Sequence, residues 1–415
     1  MSRKGQALRE GFTTGTAAAA AAKAATLALL GLLRPGAREP GDAADTPLLV
    51  DTPLPTGARL DVPVERATRE GWGEDEAVRG LVIKDGGDDP DATHMARIEA
   101  LVRLSDVPGV SVDGGRGVGR ATLPGLPVAV GEAAINPAPR GQIAAAVAEA
   151  LAQAQGAAGA DVLIEVPEGE RIAEKTMNAR LGILGGISIL GTRGTVRPFS
   201  HEAWTASVAQ AMDVAKALGA TTIALCTGGR SERFLRENLP ALGLPDMPEH
   251  SIVQAADFFA FACREAASRG FARMVWGVFF GKLVKQAQAL PNTHAHSAAL
   301  DLDFLARRAR AAGVAEPLAA QLPACATARH ALEILRPSPA LPGLLHELCR
   351  LAARAAAGFA ASPQTDAPYS PQSGFSVSPE SGFSARDGRT MLARCVLLDY
   401  DGTRLNDASS EEDRP

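Results

Sequence analysis

The stretch Thr222-Ile223-Ala224-Leu225-Cys226-Thr227-Gly228-Gly229-Arg230-Ser231 decides the architecture of half the chain. Residues 222–225 form a short apolar run of strand length, 227–231 a tight glycine loop, and 232–238 a helix. The rhythm then repeats: strand at 251–254, helix at 258–268, strand at 273–278, helix at 281–289, with a helix at 203–218 leading in. Strands that alternate with helices at this spacing predict a parallel sheet. Upstream the pattern differs, and a domain boundary is expected near residue 197.

Outward from that core, helices are expected at 302–312, 326–335 and 341–357. Residues 361–389 are low in complexity and carry a near-repeat, Ser370-Pro371-Gln372-Ser373-Gly374-Phe375-Ser376 followed by Ser378-Pro379-Glu380-Ser381-Gly382-Phe383-Ser384. Such composition predicts an insertion rather than packed structure. A strand at 394–400 should return to a sheet, and 409–415 is a charged tail. Toward the start, Thr13-Thr14-Gly15-Thr16 precedes an alanine run that ends near Gly31, which predicts a capped helix able to sit close to a sheet or a ligand. Short strands are expected around 48–50, 60–64, 81–84, 98–104 and 161–166, with helices over 141–156 and 170–178. Residues 181–195 are almost wholly Gly, Ile and Leu, so backbone there must approach a neighbour closely. The domains read as 1–197 (α+β), 198–360 (α/β, small parallel sheet), 361–389 (insertion) and 390–415 (terminal strand and tail).

Composition narrows the function. The 415 residues carry 42 basic and 47 acidic side chains, a formal net charge of −5. No dense Lys/Arg block is present, so nucleic acid is a poor partner. Cys226, Cys263, Cys325, Cys349 and Cys395 form no CxxC pair, which points to neither a disulfide framework nor a zinc site. Residues 1–10 lack an apolar core, and Lys23 interrupts an alanine run too short for a bilayer span of ~20 residues. A cytoplasmic protein without membrane contact is expected.

Several segments could carry chemistry. Thr227, Gly228, Gly229, Arg230 and Ser231 follow a parallel strand and open a helix, the position where α/β sheets bind ligands. Glycines would admit a ligand to the backbone and the hydroxyls would donate; the alternative is an ordinary βα turn. Asp257, just past the next strand, could accept hydrogen bonds from ribose hydroxyls, or serve as a helix N-cap. Lys282 and Lys285 share a helix face and could meet substrate carboxylates, or water. His294 and His296 are one residue apart. With no third ligand nearby a protein metal site is disfavoured, leaving polar contact with a substrate or a structural loop. Gly115-Arg116-Gly117-Val118-Gly119-Arg120 lacks the third glycine of a dinucleotide fingerprint, and no GxxxxGK[ST] is present.

Taken in order, the motifs resemble the CbiD family. They are Arg9-Glu10-Gly11-Phe12-Thr13-Thr14-Gly15-Thr16 with its alanine run, Gly117-Val118-Gly119, Pro124-Gly125-Leu126-Pro127, and Gly131-Glu132-Ala133-Ala134-Ile135-Asn136-Pro137. Lys175-Thr176-Met177-Asn178-Ala179-Arg180-Leu181-Gly182-Ile183, Gly185-Gly186-Ile187-Ser188-Ile189-Leu190-Gly191-Thr192 and Val196-Arg197-Pro198 follow. Thr227-Gly228-Gly229-Arg230, Gly281-Lys282-Leu283-Val284-Lys285 and Asn292-Thr293-His294 complete the set. Ala17 stands where many members carry Cys, and the match weakens beyond about residue 340.

The resemblance implies a two-domain fold: an N-terminal α+β domain, similar to a permuted S5 domain 2, and a C-terminal α/β domain with a small parallel sheet. It implies methyl transfer from S-adenosylmethionine to carbon 1 of cobalt-precorrin-5B in anaerobic cobalamin biosynthesis. Cobalt then belongs to the tetrapyrrole substrate, not to the protein. On that footing the donor is expected at Thr227–Ser231 and Asp257. The tetrapyrrole is expected in a cleft between domains, with Arg193, Arg197 and Lys282 facing its carboxylates and His294 near it. No catalytic base is identifiable, and a homo-oligomer is left open. Two rival readings remain at this stage: an ATP-dependent small-molecule kinase and a non-catalytic corrin carrier.

Overall fold

The structure is a computed structural model that describes residues 8–33, 48–154, 158–295, 297, 299–362 and 391–411. The chain divides into two compact units, residues 1–202 and 203–415. Most of the low-complexity stretch expected at 361–389, its near-repeat, His296 and the end of the charged tail lie outside the described residues.

In the first unit, the strands Arg66–Trp72, Asp75–Ile83, Arg97–Ser105, Gly159–Glu165 and Gly109–Gly114 form one sheet in that order. All neighbours run antiparallel except the last pair. Alternation sends Val78, Val82, Ile98, Ala100, Val102, Val162 and Ile164 to a face covered by two helices, Thr14–Leu29 and Pro137–Leu151. The opposite face is ionic. Arg79 contacts Glu70, Glu99 and Glu165, and Arg103 joins Asp75 and Asp161. The strands Arg66–Trp72 and Gly109–Gly114 were not expected from the sequence: the first is an edge strand rich in charge, joined to its partner by the turn at Gly73 and Glu74, and the second has only Val110 and Val112 to mark it between glycines.

The alanine helix begins where the hydroxyl pattern predicts a cap, since the Thr13 side chain accepts from the Thr16 amide at 3.2 Å. Ala17 through Ala22 are 0% exposed. The helix lies so close to the sheet that a Cβ on Gly80 would come within 2.1 Å of the Ala21 carbonyl oxygen. Gly80→Ala should therefore destabilise the first unit by ~1–3 kcal/mol, the ordinary cost of overpacking. A denaturant midpoint equal to that of the parent would show that the helix can move away freely.

The other threonines tie the glycine-rich 183–196 stretch to this helix start. Thr14 Oγ1 accepts from the Leu190 amide at 2.9 Å and Thr16 Oγ1 donates to the Gly194 carbonyl at 2.7 Å. The second helix starts at Pro137, earlier than the expected 141. Pro137 and Pro139 occupy its first turn, where a missing N–H costs nothing.

In the second unit the sheet order is Ile252–Gln254, Thr222–Cys226, Arg273–Phe279, Leu392–Leu398, Arg404–Ser409. The first four strands are parallel and the last is antiparallel. Ile223 and Leu225 face a core that includes the helices Phe259–Ser268, Phe280–Ala287 and Leu341–Ala361. Ala224 and Cys226 face the helix Gly229–Asn238 on the other side. Burial on both faces explains why these strands read as continuous apolar runs. Among the described residues no helix is long and apolar enough to cross a membrane.

Candidate functional site

Chain order in the second sheet reverses between Thr222–Cys226 and Arg273–Phe279. From the first strand the chain steps outward to Ile252–Gln254, then back across to the other side. The helices that follow the two inner strands leave on opposite faces, and a crevice opens beyond the carboxyl ends. Thr227, Gly228 and the start of the helix Gly229–Asn238 stand at this point.

The loop's glycines are not required by backbone strain. Gly228 is extended, with φ 168° and ψ 178°. Nor does packing require them: a Cβ on Gly228 would meet nothing within 4 Å, and one on Gly229 would meet only Gln254 Nε2, at 3.8 Å. Their absent side chains leave open space at the switch point. Ser231 is turned inward and braces the loop, its hydroxyl accepting from the Thr227 and Gly228 amides at 3.1 Å each and donating to the Gly228 carbonyl at 2.9 Å. A hydroxyl so occupied shapes the loop instead of reaching out from it.

Asp257 follows the neighbouring strand, next to Ala256, which adopts a left-handed φ of 49°. Its Oδ1 takes both Lys282 Nζ and the Thr293 hydroxyl, the latter at 2.8 Å. Lys282 and Lys285 each donate to the Thr293 carbonyl at 3.0 Å. The two lysines thus hold the 292–294 segment against Asp257. Burial, and then the like charge of Lys282, push the Lys285 ammonium below its ordinary pKa, with Asp257 opposing. Asp257 Oδ2 has no protein partner among the described residues. His294 is exposed, and its backbone amide donates to Asn292 Oδ1 at 2.8 Å.

Arg193 and Arg197 lie on the first unit. Arg193 reaches Glu202 at 3.3 Å and Arg197, 60% exposed, reaches Glu10 at 3.1 Å. Exposed pairs of this kind are weak, ~0–1 kcal/mol, and open readily to another carboxylate.

Four side chains at the crevice were not singled out from the sequence. Glu232 is buried on the helix after the glycine loop and accepts from Gln254 Nε2 and from Arg236 at 3.1 Å. Phe279 and Tyr400 stack with ring centroids 5.1 Å apart. Gln254 and Tyr400 had a visible signal, since each ends an expected strand; the pairing of Phe279 with Tyr400 had none, because only the sheet brings them together.

Among the described residues no group of three or more His, Cys, Asp or Glu is arranged to hold a metal ion. All five cysteines are buried.

The family model described as CbiD matches residues 1–198, and that described as CbiD, C-terminal domain, matches 292–367. A protein of Nitratidesulfovibrio vulgaris named cobalt-precorrin-5B C(1)-methyltransferase is 51% identical over 364 residues, covering 85% of this chain and 88% of its own. Proteins of the same name from a Geobacillus species and from Salinispora arenicola are each 44% identical, covering 79% of this chain and 84% and 80% of theirs. A crystal structure of the cobalamin biosynthesis protein CbiD from Archaeoglobus fulgidus is 28% identical, covering 73% of this chain and 84% of that one, with a TM-score of 0.34.

Proposed function

Since the chain belongs to the CbiD family, we propose that it is the methyltransferase that acts on carbon 1 of cobalt-precorrin-5B, with S-adenosylmethionine as donor. The observation that carries the donor's placement is the open space above Gly228 and Gly229, two glycines that neither backbone strain nor packing requires. It lies where the second sheet reverses its order, the position at which such sheets take nucleoside ligands.

The residues present fit an adenosyl group. Thr227 to Arg230 form the glycine-lined rim, Ser231 fixes the loop's shape, and Asp257 Oδ2 is free to accept ribose hydroxyls while Oδ1 is held by Lys282 and Thr293. In that arrangement Lys282 orients Asp257. When bound, the donor supplies a methyl group on a sulfonium, a leaving group that needs no protonation. The chain's part is then to align the acceptor carbon, exclude water and balance charge, and positioning of this kind can lower a barrier by ~7–11 kcal/mol. The tetrapyrrole carries carboxylates on its rim, and Arg193 and Arg197 are exposed guanidiniums paired only weakly, suited to them. His294 is an exposed polar group on the segment that Lys282 and Lys285 hold. Cobalt enters as part of the substrate. We further read the first unit as a permuted relative of S5-like domains, a reading supported by its two helices on one face of a five-stranded sheet.

The test is transfer of label from methyl-labelled donor to cobalt-precorrin-5B, together with calorimetric binding of S-adenosylhomocysteine. Binding of the tetrapyrrole with no transfer would favour a carrier, and stabilisation by ATP alone a kinase. Arg197→Ala should weaken tetrapyrrole binding by about 3- to 10-fold, a charged hydrogen bond at an exposed position, with donor affinity unchanged. An unchanged tetrapyrrole Kd in a spectroscopic titration would remove Arg197 from the site.

A further inference from the structure

Beside the glycine loop, past the end of the Leu392–Leu398 strand, the second unit has a cavity of about 290 Å3 whose wall includes Arg230, Arg329, Arg336, Leu332, Asp399 and Tyr400. We propose that this cavity is a carboxylate-binding subsite with Arg230 as its receiving cation. The proposal rests on the reading of the neighbouring loop as the donor's seat.

Arg230 differs from the other two arginines. Arg336 is held by the buried Asp399, and Arg329 faces Glu333 at 3.2 Å in an exposed pair. Arg230 has no carboxylate partner among the described residues. Instead its guanidinium donates to the Tyr400 carbonyl and lies 5.6 Å from the ring centres of both Phe234 and Phe279, and 5.8 Å from that of Tyr400. The stacked pair Phe279 and Tyr400, 8° from parallel, forms a firm floor under it. Cation–π contact fixes the position of a guanidinium while leaving its charge uncompensated. A full positive charge held in place at the rim of a cavity, with N–H groups to spare, suits a forked pair with a carboxylate. A phosphate dianion suits it less, because Glu333, Asp399 and Asp401 line the same cavity and repel a second negative charge.

Two carboxylates belong to the proposed reaction: the amino-acid tail of the donor and the acid arms of the tetrapyrrole. Arg230→Met separates them. Calorimetry is run on the full chain with S-adenosylhomocysteine and with 5′-methylthioadenosine, which lacks the amino-acid tail, and a spectroscopic titration with cobalt-precorrin-5B. If the subsite takes the donor's tail, affinity for S-adenosylhomocysteine falls by about 10- to 100-fold, as for loss of a charged hydrogen bond, and 5′-methylthioadenosine binds as before. If it takes an arm of the macrocycle, both nucleosides bind as before and the tetrapyrrole weakens by a similar factor. Arg230→Lys, which keeps the charge but not the fork, should recover part of either loss, and the exposed position of Arg230 leaves the fold unaffected. The subsite is overturned if all three affinities are unchanged, or if both nucleosides weaken equally, since Arg230 would then only shape the loop. A parent chain that binds neither nucleoside would refute the donor's placement, and the tetrapyrrole titration alone would then decide the subsite.

Discussion

Gly229→Val is expected to reduce binding of S-adenosylhomocysteine by at least about 100-fold, equivalent to ~2.8 kcal/mol, while thermal unfolding stays close to that of the parent. The two halves of this result have separate causes. The folded chain has room for the new side chain: the first atom added would meet only Gln254 Nε2, at 3.8 Å. Valine is also no worse than glycine inside a helix. That same room is what an adenosyl group would need, because a ligand that approaches the loop backbone cannot share the space with two methyl groups. Calorimetry beside a melting curve checks both halves. Normal affinity in a folded variant would show that the donor sits elsewhere.

The largest effect on stability is expected from Asp91→Ala in the first unit. Lys84 follows the Asp75–Ile83 strand with its side chain 1% exposed, and its ammonium is paired with Asp91, itself 21% exposed. Removal of the carboxylate leaves a buried ammonium unpaired, a change that costs roughly 3 kcal/mol, the lower end of the usual range because Asp91 keeps some contact with water. The double variant Lys84→Met with Asp91→Ala should recover most of the loss, since no buried charge remains. A single-variant loss below about 1 kcal/mol in a urea titration would contradict the buried-pair reading.

The same pair sets a pH dependence. Burial alone would raise the Asp91 pKa, but the charge and hydrogen bond of Lys84, with two further bonds from Thr93, outweigh it and hold the carboxyl below its ordinary value of 3.8. A carboxyl depressed in the folded state binds protons more readily when unfolded. Its contribution is therefore present above the ordinary carboxylate value and is lost as the pH falls through the depressed one. The parent should lose stability across that acid window more steeply than the double variant. Parallel acid titrations would reveal a missing Asp91 contribution.

Much of the second unit was legible in the sequence because its strands are buried on both faces. Burial on both sides demands uninterrupted apolar runs, and the runs at 222–226, 252–254 and 273–279 mark themselves. The alanine helix was legible for a related reason: Thr13 caps it, Gly31 takes a positive φ of 69° after it, and its run of small side chains lets the sheet approach closely at Gly80. The strands Arg66–Trp72 and Arg404–Ser409 left no such trace, because edge strands hydrogen-bond on one side only and can be charged or polar throughout.

At the candidate site, local chemistry was readable and pairing was not. Gly228 and Gly229 declared an unfilled space, and Asp257 an acceptor at a strand end. That Lys282 would be taken up by Asp257, and that Phe279 and Tyr400 would meet beneath Arg230, depended on strands far apart in the chain becoming neighbours. What the sequence by itself determined was the period of burial, the caps and the places where backbone lies bare, since each is set by residues within one helical turn or one strand. Which charge meets which partner, and that Arg230 meets rings and no carboxylate among the described residues, only the tertiary structure decided, because ion pairs and ring stacks act across space and record nothing in sequence spacing.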